Sequence, residues 1–196
     1  MVFNYTKNYQ FTARFHLNEK PLEIVNHTKL LGTYITSDLS WNMNTNYIIR
    51  KAYQRMEIIK KLYEFNVPLG DLVHLYCIYV RSILEFNCCV WHFSLTQEQK
   101  SDIERVQKNA LKIILKQNYV SYENALKKTN LISLEDRRTK LCKTFAQKCA
   151  KIEKTKDMFP LDTTRHSNKY QVYFARNDRV LYSAIPQMQR LLNETS

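Results

Sequence analysis

Residues 96–116 read TQEQKSDIERVQKNALKIILK, and the periodicity of this stretch decides the fold. Thr96 with Gln99 three residues on is a capping-box sequence that starts a helix. Ile103, Val106, Ala110, Ile113 and Ile114 then recur at spacings of three and four, so one face of that helix is apolar. A long helix with a single apolar face is stable only when other helices cover that face.

The flanking segments supply them. From Trp41 onward Ile48, Ala52, Met56, Ile59 and Tyr63 share one helix face, and Asn66, Val67 and Pro68 end that helix. Residues 71–86 are apolar nearly all round (Leu72, Val73, Leu75, Tyr76, Tyr79, Val80, Ile83, Leu84), as suits the middle of a bundle. Ser121 caps a short helix with Tyr122, Ala125 and Leu126, stopped at Asn130. Ser133 with Asp136 opens a fourth long helix, with an expected buried stripe of Leu134, Leu141, Phe145, Cys149 and Ile152. Residues 1–40 differ: they are aromatic and β-branched, with short runs at 11–16, 23–25 and 31–36 separated by Asn18, Pro21 and Asn26, and are expected to form a few short antiparallel strands. Beyond Thr155 the helical period is lost. The chain is therefore expected to be mainly α, with strands in 1–40, a helical bundle over 41–154, and an irregular basic and aromatic tail over 155–196 that ends in a short helix near 185–192.

Composition narrows the function. The formal charge of +12 over 196 residues favours a polyanionic partner, because basic groups release counterions when they meet phosphate. No stretch approaches the length of an apolar membrane span, so no membrane partner is expected. Only two glycines occur, Gly32 and Gly70, which excludes phosphate-cradling loops of the P-loop and Rossmann kinds. Five cysteines without a Cys-x-x-Cys pair read as reduced intracellular thiols. The nearest approach to a metal cluster, Cys77, Cys88, Cys89 and His92, fits no usual zinc spacing, and neither a metal nor a cofactor is expected.

Cations in rows carry the binding hypothesis. Arg105, Lys108, Lys112 and Lys116 fall within a narrow arc of the third long helix. Arg137, Lys140, Lys148 and Lys151 do so on the fourth. Arg50 and Lys61 lie opposite the apolar face of the first helix, with Lys51 and Arg55 at its flanks. Such rows can follow a phosphate backbone, and they can equally be a solvated face. In the tail, Arg165, Lys169, Arg176 and Arg179 alternate with Tyr170, Tyr173, Phe174 and Tyr182, a pattern suited to stacking on bases or to covering the bundle. No catalytic residue is assigned. Asp38, Asp71, Asp102, Asp157, Asp162 and Asp178 stand apart, whereas two-metal phosphoryl transfer needs paired carboxylates, and Glu135 with Asp136 is explained by the first turn of a helix.

The run Lys29, Leu30, Leu31, Gly32, Thr33, Tyr34, Ile35, then Asp38, Leu39, Ser40, Trp41 and Asn42, resembles the segment that closes the palm of non-LTR, LINE-type retrotransposon reverse transcriptases of the jockey-like kind. Val90, Trp91 and His92, then Leu95 and Thr96, then Glu104, Arg105, Val106, Gln107, Lys108, Ala110, Leu111 and Ile113 resemble a later stretch of the same family. Tyr122, Ala125, Leu126, Leu131, Leu134, Arg137, Arg138 and Leu141 continue it, and Ser183, Ala184, Ile185, Pro186, Leu191, Leu192 and Asn193 are similar to its close. The resemblance implies a thumb-like helical bundle and a primer-grip-like hairpin at Leu31, Gly32 and Thr33. It implies RNA–DNA hybrid or duplex as partner, together with the palm and fingers of a parent polymerase, and a nuclear site of action. The family's paired-aspartate motif has no counterpart in these 196 residues and by resemblance belongs upstream of Met1.

The resulting expectation is a C-terminal fragment of an RNA-directed DNA polymerase that binds primer-template backbone and does not polymerise alone. Its rivals are a stand-alone nucleic-acid-binding protein derived from such an element, a helical protein-interaction module and a remnant without function.

Overall fold

Two β-hairpins come first in the computed structural model, which describes residues 15–162, 169–174 and 178–194. β1 (His16–Leu17) pairs antiparallel with β2 (Lys20–Pro21), and β3 (His27–Leu30) with β4 (Thr33–Thr36). The β3–β4 register sets Leu30 opposite Thr33, so Leu31 and Gly32 alone make the turn. Both have positive φ, 46° and 87°, as a two-residue hairpin turn that matches the strand twist requires. Glycine adopts that backbone freely and leucine does not. Two strand expectations need correction. Residues 23–25 are not a strand, and His27–Leu30, with no apolar alternation to mark it, is one. Most of the run at 11–16 lies outside the described residues.

The helices follow as expected from local chemistry. α1 (Asn42–Glu64) buries Ile48, Ala52, Met56 and Ile59. α2 (Leu69–Leu75) passes into a π-helical turn over Tyr76–Arg81 and then α3 (Ser82–Glu85). Leu72, Tyr76, Val80 and Leu84 are all buried, a strict spacing of four that a regular helix would rotate out of register and that the wider π turn preserves. Asn87, at φ 51°, breaks the chain into α4 (Cys88–Trp91). α5 (Gln97–Leu115) starts on a complete capping box: Gln99 N–H donates to Thr96 Oγ1 at 3.2 Å, and Thr96 N–H donates to Gln99 Oε1 at 2.8 Å. Ser121 caps α6 (Tyr122–Thr129), which Asn130 ends at φ 52°. Ser133 caps α7 (Leu134–Cys149) by accepting the Asp136 N–H at 3.1 Å.

The buried stripe of α7 is only in part the one expected: Leu134 and Cys149 belong to it. Leu134, Arg138, Cys142, Ala146 and Cys149 are buried, whereas Phe145 and Ile152 are about half exposed and Leu141 is intermediate. Hydropathy misplaces the face because an arginine occupies one of its central positions.

α8 (Asp178–Leu181) and α9 (Ala184–Asn193) complete the described elements. Phe159 of the tail packs with Ala146, Cys149, Met188 and Leu192, and Tyr170 joins them edge-on to Phe159. Phe159, Tyr170 and α9 of the expected tail are thus built into the bundle, while Tyr173 and Phe174 stay exposed. Residues 1–47 and 48–196 form two separate compact units, so the helical core lies in the second. Deleting residues 1–40 should leave the helical far-UV circular dichroism and a cooperative melt in place. Loss of the cooperative melt would show that the hairpins complete that core.

Candidate nucleic-acid interface

The cations of the sequence divide into those tied up within the bundle and those left on its surface. Arg55 belongs to the first group: its Nη1 donates to the Tyr79 carbonyl at 2.8 Å and its guanidinium lies 4.5 Å from the Tyr79 ring, joining α1 to the π turn. Arg137 does too, with Nε 3.2 Å from Glu85 Oε1, the oxygen that Arg81 Nε also reaches at 3.2 Å. Arg105 is exposed but paired with Asp102 at 2.6 Å.

Of the cations that the sequence sets in rows, the exposed ones lie at α1, α5 and α7. On α1 they are Arg50, Lys51 and Lys61. On α5 they are Lys108 and Lys112, followed by Lys116, which sits just past the helix end at φ 41°. The ammonium groups of these three lie over the rings of Tyr122, Tyr119 and Tyr63 at 5.0, 5.7 and 4.1 Å. Each ring attracts a cation through its π face and leaves the outer side of the ammonium to solvent. On α7, Lys140 and Lys148 are exposed, with Lys151 beyond the helix end. In the tail, Lys169 and Arg179 are exposed, while Arg165 and Arg176 lie outside the described residues. Within the first unit, Leu31 is 83% exposed at the hairpin tip, Gly32 follows it, and Thr33 is buried. Lys29 of β3 donates to Tyr47 Oη at 2.8 Å, a bond that raises its pKa.

Within the resembling Glu-Arg-Val-Gln stretch, Val106 and Gln107 are buried and Glu104 bonds into the bundle, while Arg105 stays on the surface. Gln107 is fully buried; its Oε1 accepts from Tyr76 Oη at 2.8 Å, and its Nε2 donates to Tyr122 Oη at 2.8 Å and to the Ile132 carbonyl at 2.9 Å. Glu104, one turn earlier, accepts from Tyr122 Oη and takes the Leu134 N–H at 3.1 Å on both carboxylate oxygens, capping α7. His92 is buried as well. Arg138 Nε donates to its Nδ1 at 3.3 Å, so the ring proton is on Nε2. That nitrogen faces Thr139 Oγ1 at 3.1 Å, whose own proton goes to the Glu135 carbonyl at 2.9 Å. With both nitrogens used, His92 is a structural histidine.

Two residues that sequence reasoning passed over complete this seam. Arg138 is fully buried, and its Nη1 and Nη2 have no hydrogen-bond partner. Cys142, one helical turn further, brings its sulfur within 4.8 Å of those of Cys88 and Cys89. No spacing rule links Cys142 to the vicinal pair; only the fold does. Cys77 and His92, grouped with that pair by sequence, are not part of the cluster. Among the described residues, this trio is the one group of histidine, cysteine and carboxylate side chains close enough to share an ion.

Comparison with protein-family models, with curated proteins and with solved structures gives no match. Among the described residues, no helix is long and apolar enough to cross a membrane.

Burial, and then the nearby Arg138 and Lys100 charges, push the His92 pKa from 6.5 down to about 3. The unfolded imidazole takes up a proton near its ordinary value while the folded one refuses it. The stabilisation from neutral His92 is therefore complete above pH 6.5 and is lost as pH falls toward 3, at up to about 1.4 kcal/mol per pH unit. Urea melts between pH 7 and 5 should show falling stability in the wild type and a flatter profile in His92→Gln. Parallel profiles would show that another group is responsible.

Proposed function

We propose that this chain is a thumb-like, C-terminal part of an RNA-directed DNA polymerase, which holds primer-template backbone through exposed lysines and has no polymerase activity alone. The observation that carries this reading is the row Lys108, Lys112 and Lys116, exposed along one edge of α5 and each over a tyrosine ring. Successive members step about 6 Å along the helix axis, and their attraction to phosphate does not depend on sequence. Lys140, Lys148 and Lys151 give a second set of exposed cations, at α7. The exposed Leu31–Gly32 tip has the tight backbone turn suited to a close approach to a primer, as the resemblance implies.

A helical protein-interaction module is the second reading. It is favoured by an apolar groove of about 550 Å³ lined in part by Val90, Leu141, Phe145, Ile185 and Met188, with Phe145 exposed on it.

Salt dependence separates the two. If Lys108 and Lys112 each neutralise a phosphate, replacing both by glutamine should weaken duplex or hybrid binding and flatten the slope of log affinity against log salt by about two units. Lys7→Gln with Lys20→Gln is the matched control and should change the slope little. Equal effects of the two pairs would reduce the attraction to diffuse net charge and favour the interaction module.

Primer extension on an RNA template with magnesium or manganese should give no product, since paired metal-holding aspartates are lacking. Template-dependent synthesis that co-purifies with the chain through successive columns would overturn that expectation.

A further inference from the structure

Cys88 and Cys89 open α4, and Cys142 meets them from the middle of α7, in the second unit of the fold. The three sulfurs lie within 4.8 Å of one another. A zinc ion with Zn–S bonds of about 2.3 Å holds its thiolates about 3.8 Å apart in a tetrahedral site, so closing this trio onto one ion needs only side-chain adjustment. Cys88 and Cys142 are buried, while Cys89 is half-buried and lines the groove between α4, α7 and α9 together with Cys88. That groove gives an ion a way in and leaves room for a fourth, solvent-supplied ligand.

A second observation points to the same place. Arg138 is a fully buried cation on the same face of α7 as Cys142, four residues earlier, with both terminal nitrogens lacking an acceptor. A buried charge whose terminal nitrogens lack acceptors is costly. Glu104 and Glu135 offset this one only from a distance and the Trp91 ring faces it at 5.8 Å, while its field also reaches Cys88 and Cys142. Three thiolates on a divalent ion carry a net charge of minus one, which would offset the charge of this neighbouring arginine, as outer-shell groups do at metal sites.

We propose that Cys88, Cys89 and Cys142 form a three-thiolate site for a soft divalent cation, zinc above all, with the buried Arg138 as its charge partner. The site pins α4 to α7 across the seam that His92 and Arg138 also bridge. It departs from the expectation of buried, unliganded thiols, and it does not depend on whether the chain binds nucleic acid. His92 is not the fourth ligand, because both its nitrogens are engaged.

The full chain, purified under reducing conditions and stripped with a chelator, should take up one equivalent of cobalt(II). Uptake should give a thiolate-to-cobalt charge-transfer band in the near ultraviolet, which zinc should then displace. Zinc should also raise the melting temperature, since an ion bound only by the folded state stabilises it. Cys89→Ser and Cys142→Ser should each lose the band and the shift, with Cys89→Ser, at the half-buried position, keeping the helical circular dichroism. Cys77→Ser, outside the cluster, should keep both signals. The wild-type titration stands even if Cys142→Ser fails to fold. Absence of the band in the reduced wild type at micromolar cobalt, or equal loss in Cys77→Ser and Cys89→Ser, would overturn the proposal.

Discussion

Gln107 is the buried joint on which the bundle is assembled. Its single amide bonds three separate segments: the π turn through Tyr76, α6 through Tyr122, and the loop before α7 through the Ile132 carbonyl. A buried amide left without these partners would cost about 1–3 kcal/mol per unsatisfied group, so alternative packings of the helices are penalised several times over. Glu104 adds a fourth tie by capping α7 through Leu134. Apolar contact alone is non-directional; these bonds are what set the register of α5 against α6 and α7.

The same network accounts for the π turn. Tyr76 must deliver its hydroxyl to Gln107 while Leu72, Val80 and Leu84 stay buried on the same side. A regular helix cannot keep residues four apart on one line over three turns, and the wider turn at Tyr76–Arg81 can. Arg55 and its bond to the Tyr79 carbonyl then hold the outside of that turn against α1.

What the sequence discloses here is what local chemistry controls. Thr96, Ser121 and Ser133 mark helix starts because a cap bonds to an amide three residues away, and Asn130 marks a stop because asparagine tolerates the left-handed backbone. The faces of α1 and α5 are legible because apolar residues fill most of them and keep the helical period around the buried amide of Gln107. α7 is not, because Arg138 and Cys142 occupy its core positions and hydropathy turns the helix toward Phe145 instead. β3 is missed for a related reason: His27, Thr28 and Lys29 carry no apolar alternation, and the strand exists because β4 pairs with it. The cysteine cluster is invisible for a third reason, that its members come from helices far apart in sequence.

The division of labour between arginine and lysine bears on what kind of surface this is. Arg55, Arg137, Arg138 and Arg190 are used inside the bundle, on the Tyr79 carbonyl, Glu85, His92 and the Leu181 carbonyl. The planar guanidinium suits such fixed, directional bonds. Lysines, by contrast, make up most of the exposed rows on α5 and α7. An ammonium on a flexible stem acts as a mobile point charge, with little of the geometric selectivity of a guanidinium fork. A polyanion meeting this face would therefore find charge density without a template for base edges, and its binding would be governed by phosphate spacing and salt. If the chain holds a duplex as proposed, such a surface would grip it with little regard to sequence.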